Sequence, residues 1–156
     1  MADHEHPAVA AQATAASEAG DRPLLMSGRT LSGVAMEIRR CLAVSPPDRH
    51  EALRWVAQFV SLFERASPSA RPAMVVDEPE PTADARWDAL LAGTAEHLCF
   101  HHGVAVPDWS VAPTRFLANW WFVSPYRSVH ASALVSTPAA LANRGVFIHA
   151  DSLASV

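Results

Sequence analysis

Asp84-Ala85-Arg86-Trp87-Asp88-Ala89-Leu90-Leu91-Ala92-Gly93-Thr94-Ala95-Glu96-His97-Leu98-Cys99-Phe100-His101-His102-Gly103 is the stretch whose reading decides the fold. Trp87, Leu90, Leu91, Thr94, Ala95 and Leu98 recur at the spacing of one helical face. Asp84 is placed to cap the helix, Asp88 lies in its first turn, and Gly103 follows the last periodic residue as a C′ glycine. A helix of this length with an apolar stripe predicts an all-α domain built around it. Leu91 and Leu98 are expected in its core.

Outward from the glycine lies an aromatic segment, Phe116-Leu117-Ala118-Asn119-Trp120-Trp121-Phe122. Adjacent side chains point about 100° apart on a helix and to opposite faces on a strand, so the two indoles cannot share a pocket. Trp121, beside Phe122, is expected in the core and Trp120 partly exposed. Arg115 to Trp121 is read as about a turn of helix. Ser124-Pro125 follows the cap-then-proline rule and predicts a helix to about Val135. Thr137-Pro138 repeats that signal, with Gly145 as the stop. Val146-Phe147-Ile148 reads as a short extended run, and Asp151 caps a last turn.

Toward the N-terminus, Leu31, Val34, Ala35, Ile38 and Leu42 mark a helix over 30–43. Ser45-Pro46-Pro47 breaks it. Asp48, with Glu51 three residues on, gives a capping-box pattern for a helix over 49–66. That helix has two apolar stripes, one through Leu53, Val56, Ala57, Val60 and Phe63 and one through Trp55, Phe59 and Leu62, so it needs cover on more than one side. Residues 67–83 carry Pro68, Pro72, Pro79 and Pro81 and the acidic run Asp77-Glu78-Pro79-Glu80, and read as a linker. The expected organisation is therefore a disordered tail over 1–26, a helical pair over 27–66, the linker over 67–83 and a C-terminal helical domain over 84–156. The whole is a small all-α fold of about five or six helices.

At 156 residues the chain is long enough for a core of its own. Its formal charge of −4 would repel a phosphate backbone, which disfavours nucleic acid as a partner. Cys41 and Cys99 are far apart, with no C-x-x-C spacing, and read as free thiols of a reducing compartment. No apolar run approaches the roughly 18 residues of a membrane span, and the first residues lack a secretory signal pattern. A cytoplasmic location is expected.

The chemistry-bearing residues are sparse. His97 and His101 stand at i and i+4, as two metal ligands would, but the Glu of the zinc-protease pattern is not in its place. His4 and His6 belong to the tail. Ser124, Ser128, Ser132 and Ser136 beside His130 have no nucleophile elbow and no orienting acid. There is no Gly-rich phosphate loop. The sequence points to no enzyme activity, no metal, no cofactor and no small-molecule substrate. A helix-turn-helix reading of the N-terminal pair would ask one helix to present Arg49, His50 and Arg54 to bases while burying Trp55 and Phe59. Aromatic and arginine side chains are instead what protein interfaces enrich. Trp55, Phe59, Trp109, Arg115, Phe116, Trp120, Tyr126 and Arg127 are accordingly the candidate partner-binding residues.

The segments Arg86-Trp87-Asp88-Ala89-Leu90-Leu91, Ala95-Glu96-His97-Leu98, Pro107-Asp108-Trp109, Arg115-Phe116-Leu117, Trp121-Phe122, Thr137-Pro138-Ala139-Ala140-Leu141 and Arg144-Gly145-Val146-Phe147-Ile148 carry a resemblance. With His102-Gly103, Ile38-Arg39-Arg40 and Ala52-Leu53-Arg54, the chain resembles a small protein family of high-GC bacteria. Its genes lie beside nucleotidyltransferase toxins of the abortive-infection type, and some members are fused to a helix-turn-helix domain. Where that family has Leu-x-x-Pro-Trp-Phe, this chain has Leu117-Ala118-Asn119-Trp120-Trp121-Phe122, with Trp120 in the proline's place. The resemblance implies an antitoxin-like protein that binds a cognate toxin directly and contributes no catalytic residue. The alternative expectation is a transcriptional regulator or accessory DNA-binding protein.

Overall fold

A computed structural model describes residues 28–154. The expected tail over 1–26, His4 and His6 included, lies outside the described residues. Helix α1 spans Leu31–Ala43, and Thr30 caps it by accepting from the Gly33 amide at 3.2 Å. Its buried face is Leu31, Val34, Ala35 and Ile38. Helix α2 spans Arg49–Arg65, with the Asp48 carboxylate accepting from the Glu51 amide at 2.9 Å. The capping box is only half made. Glu51 turns to Arg54, and the Asp48 amide donates instead to the Cys41 carbonyl across the α1–α2 turn.

The proline-rich stretch read as a linker is packed. It contains a short helix α3, Arg71–Val75, whose Arg71 donates to the carbonyls of Phe63 and Glu64 and so closes the end of α2. Val75, Pro79 and Thr82 are buried. A five-residue helix is too short to leave a period in the sequence, so only the docking of Val75 on the C-terminal half reveals it.

Helix α4, Ala85–His102, is the axis of the molecule. Trp87, Ala89, Leu90, Leu91, Ala92, Gly93, Thr94, Ala95, Leu98 and Cys99 are all buried, so it is covered nearly all round. The Asp84 carboxylate caps its start, and at its end Gly103 takes φ +64°, where a side chain would be strained. One hydrophobic core runs from Leu31 through α4 to Leu153, so the N-terminal pair is docked on the C-terminal half. Leu91 and Leu98 lie in it.

Beyond α4 come single turns of 3₁₀ helix at Asp108–Val111 and Pro113–Arg115, then a strand β1, Trp121–Phe122. A further 3₁₀ turn, Arg127–Val129, leads into α5, His130–Ser136, followed by α6, Ala139–Ala142, β2, Val146–Phe147, and α7, Asp151–Ala154. β1 and β2 pair in parallel, Trp121 opposite Val146 and Phe122 opposite Phe147. Among the described residues there are seven α-helices and this one small pair of strands, an all-α fold.

Two local expectations are corrected. The segment Arg115 to Trp121 is not a helical turn throughout: the helix stops at Arg115 and the chain extends into β1, because Val146–Phe147 offers it a ladder. The helix expected from Ser124-Pro125 begins only at His130. The Ser124 hydroxyl accepts from the Tyr126 amide at 3.3 Å, a local turn that competes with a helix cap.

Candidate partner-binding surface

Strand alternation sets the site. Trp121 turns inward onto Trp87, ring centroids 5.5 Å apart, with the Arg86 guanidinium 5.6 Å from its ring. Trp120 turns the other way and is 68% exposed, resting on Phe147 at 4.9 Å. Phe147 stacks on Phe122 at 5.2 Å, and Phe122 stacks on the His130 imidazole at 4.0 Å. The result is a continuous row of rings, Trp120, Phe147, Phe122 and His130, crossing both strands and the start of α5. The His130 ring is fixed by a 2.9 Å hydrogen bond between Nε2 and the Ser124 carbonyl. Tyr126, 71% exposed, and Arg127 stand on the turn between β1 and α5.

The row is backed by a buried arginine. Arg144 is wholly buried, and its Nη1 donates to Glu96 on α4 and to the Ala140 carbonyl, while its Nη2 donates to the Ser110 carbonyl. The guanidinium also lies over the Phe116 ring, 4.7 Å from its centroid. Gly145 follows at φ +75°, and its carbonyl accepts from the Trp121 amide at 2.7 Å. Arg144 and Gly145 thus tie α4, the 3₁₀ turn at Ser110 and the strand pair into one support.

The candidate residues divide. Trp120, Tyr126, Arg127 and Phe116 keep exposed surface in this region. Phe59, Trp109 and Arg115 leave the candidate set because they are buried. Phe59 is fully enclosed beside Phe63, with ring centroids 6.1 Å apart. Trp109 donates its Nε1–H to the Val75 carbonyl at 3.1 Å. Arg115 packs over the Trp109 ring at 5.4 Å and pairs with Glu78 at 2.9 Å. These two pin the proline-rich stretch to the C-terminal half, which is why neither is available to a partner. Trp55 is half-buried against the core on α2, away from the row in the chain and joined to it by no ring contact.

Phe147 and His130 belong to the row although the sequence suggested no such role. For Phe147 the signal was the extended Val146-Phe147-Ile148 run, which needed a partner strand; the pairing to Trp121–Phe122 that brings both into the row is a long-range event that no local pattern encodes.

Both thiols are pushed toward the protonated form. Burial pushes the Cys99 thiol up to about 11, so it is protonated at neutral pH. Burial, and then Glu51, Asp48 and Glu37, also raise Cys41. The His97 and His101 rings touch edge to face at 4.4 Å, and burial followed by the His101 charge lowers the His97 pKa. Among the described residues no group of three or more His, Cys, Asp or Glu side chains converges as a metal site requires. An open cleft of about 280 Å³, lined by Arg39, Leu42, Pro47, Arg49 and Ala83 among others, shares no residue with the ring row. Among the described residues no helix is long and apolar enough to cross a membrane.

No protein-family model matches the chain, and no curated protein and no solved structure is significantly similar to it.

Proposed function

We propose that the protein is an antitoxin-like binding protein that neutralises a cognate toxin, a nucleotidyltransferase of the abortive-infection type, by direct contact through the Trp120 face. The carrying observation is the exposed indole of Trp120, held on a rigid row of rings with Tyr126 and Arg127 beside it. Trp, Tyr and Arg are the residues that supply most interface binding energy, and a fixed ring loses little entropy on binding. The motif resemblance supplies the identity of the partner. Four of the motif residues, Trp87, Trp109, Arg144 and Gly145, are buried, and Trp87 packs on the Trp121 that neighbours Trp120.

Co-expression with the product of the neighbouring gene tests the reading. The neighbour alone should arrest growth, the pair should grow, and the two proteins should co-purify. A harmless neighbour, or one that does not co-purify, refutes it. In a gel-shift assay on its own promoter region at low salt, the protein alone should give no shift. A shift with a steep salt dependence would instead establish the regulator reading.

A further inference from the structure

The strand β1, which Trp120 directly precedes, has an open edge. In β1 the Trp121 amide donates to the Gly145 carbonyl at 2.7 Å, and the Val123 amide to the Phe147 carbonyl at 3.0 Å. Main-chain groups alternate along a strand, so those of Trp120 and Phe122 face away from β2. Outside the β1–β2 ladder, no backbone hydrogen bond engages the N–H or C=O of either residue among the described residues. Natural proteins usually shield such edges, because an unpaired edge is a template for another strand.

The stretch of chain that forms this edge carries no acid of its own. From Trp109 to Ala150 the chain has no acidic residue, although the whole protein carries −4. Of the three arginines in that interval, Arg115 is engaged by Glu78 and Arg144 by Glu96. Arg127 has no acidic partner among the described residues.

We infer that the free edge of β1 at Phe122, continued by Trp120 just before the strand, receives an extended acidic segment of another protein, which adds a strand to the sheet and places a carboxylate against Arg127. Main-chain pairing gives such complexes their hold, and side-chain neighbours give the choice of sequence. Here the exposed Trp120 ring offers an apolar contact to alternate residues of the incoming strand, while Arg127 selects for negative charge. The biological occupant rests on the toxin-binding reading, but the edge itself does not depend on it.

The test uses the full-length protein labelled with ¹⁵N and three synthetic probes. These are the peptide Glu-Val-Glu-Val-Glu-Val-Glu, its counterpart with lysine in place of glutamate, and the acidic peptide N-methylated at every residue. In the free protein the Trp120 and Phe122 amides should exchange rapidly with solvent. The acidic peptide should slow the Phe122 amide by about tenfold or more, as a formed strand bond does, and shift the Trp120 indole resonance. The lysine peptide and the N-methylated peptide should do neither. Arg127→Gln, a change at an exposed side chain, should weaken the acidic peptide several-fold and leave the melting temperature unchanged. Protection of Phe122 before any peptide is added would overturn the inference, showing that the chain itself or a second copy already covers the edge. So would binding that leaves the Phe122 amide unprotected, equal protection by the lysine peptide, or no binding at millimolar peptide. Failure of co-purification with the neighbouring gene product refutes the toxin reading and leaves this result standing.

Discussion

The indoles of Trp87 and Trp121 pack against each other with ring centroids 5.5 Å apart and planes inclined by 57°. Through this contact the central helix holds β1, and by holding Trp121 inward it presents Trp120 outward. One interaction in the core therefore fixes the orientation of the surface residue on which binding is proposed to depend.

Truncating the two neighbours should separate these roles. Trp121→Ala removes a ring packed on the core and should cost about 3 kcal/mol, the lower end for buried aromatics because Trp121 is only half-buried. Trp120→Ala should leave the melting temperature nearly unchanged and weaken the toxin complex by about 2 kcal/mol or more, the hot-spot range. Thermal melts and binding titrations on both variants check this. If both melt early and bind normally once folded, the partner surface lies elsewhere.

Arg144→Ala should be among the most damaging single changes. It strips a hydrogen-bond donor from the buried Ser110 carbonyl and from the Ala140 carbonyl and leaves Glu96 unpaired. Each buried carbonyl left without a donor costs about 1–3 kcal/mol, and the cavity left by the side chain adds to that. Glu96→Gln keeps an acceptor for Arg144 but removes the charge that balances a fully buried guanidinium, and should cost about 3–5 kcal/mol. Urea denaturation of the two variants measures the difference.

Gly93→Ala should destabilise the protein although alanine is the better helix former. A methyl group at Gly93 would meet the Leu141 Cδ2 at 2.5 Å and the Leu141 Cα at 3.2 Å. The side chain can swing away, but the backbone of α6 must also move. The overpacking cost of about 1–3 kcal/mol outweighs a propensity gain of about 1 kcal/mol. A melting temperature at or above that of the parent would show that α6 adapts freely.

Stability should fall in two steps as the solution is acidified. Burial, with the His101 charge beside it, lowers His97 below its ordinary 6.5. The unfolded chain then binds a proton that the folded one refuses, so stability declines as pH drops below 6.5 and levels off below the folded value. Asp84 is held below its ordinary 3.8 chiefly by its hydrogen bonds to Arg86, at 2.6 Å for the shortest. Its contribution is complete above 3.8 and is lost as pH falls through the lowered folded value. Denaturant midpoints measured from pH 7.5 to 3 should show both steps. His97→Gln should flatten the upper one and Asp84→Asn the lower.

Helices α1, α2 and α4 were legible before any tertiary contact was known, because each carries its own caps and its own stripe. Thr30, Asp48 and Asp84 accept backbone amides at the starts, and Gly103 supplies the left-handed turn at the end of α4. The opposed facing of Trp120 and Trp121 was legible too, since adjacent side chains diverge in either kind of secondary structure. Hidden were α3 and β1, whose periods are too short to register; the extended run at Val146-Phe147-Ile148 was legible, but its pairing with β1 was not.

By itself, then, the sequence determined the three long helices, the all-α class and the divergence of the two tryptophans, all consequences of local spacing and capping. Tertiary structure alone decided that Phe59, Trp109 and Arg115 are interior. It also decided that the proline-rich stretch is packed and that Phe147 and His130 extend the aromatic row. Burial is set by what comes to lie against a residue, and here those neighbours come from far along the chain: Val75 beneath Trp109, Glu78 against Arg115, Phe147 beside Trp120.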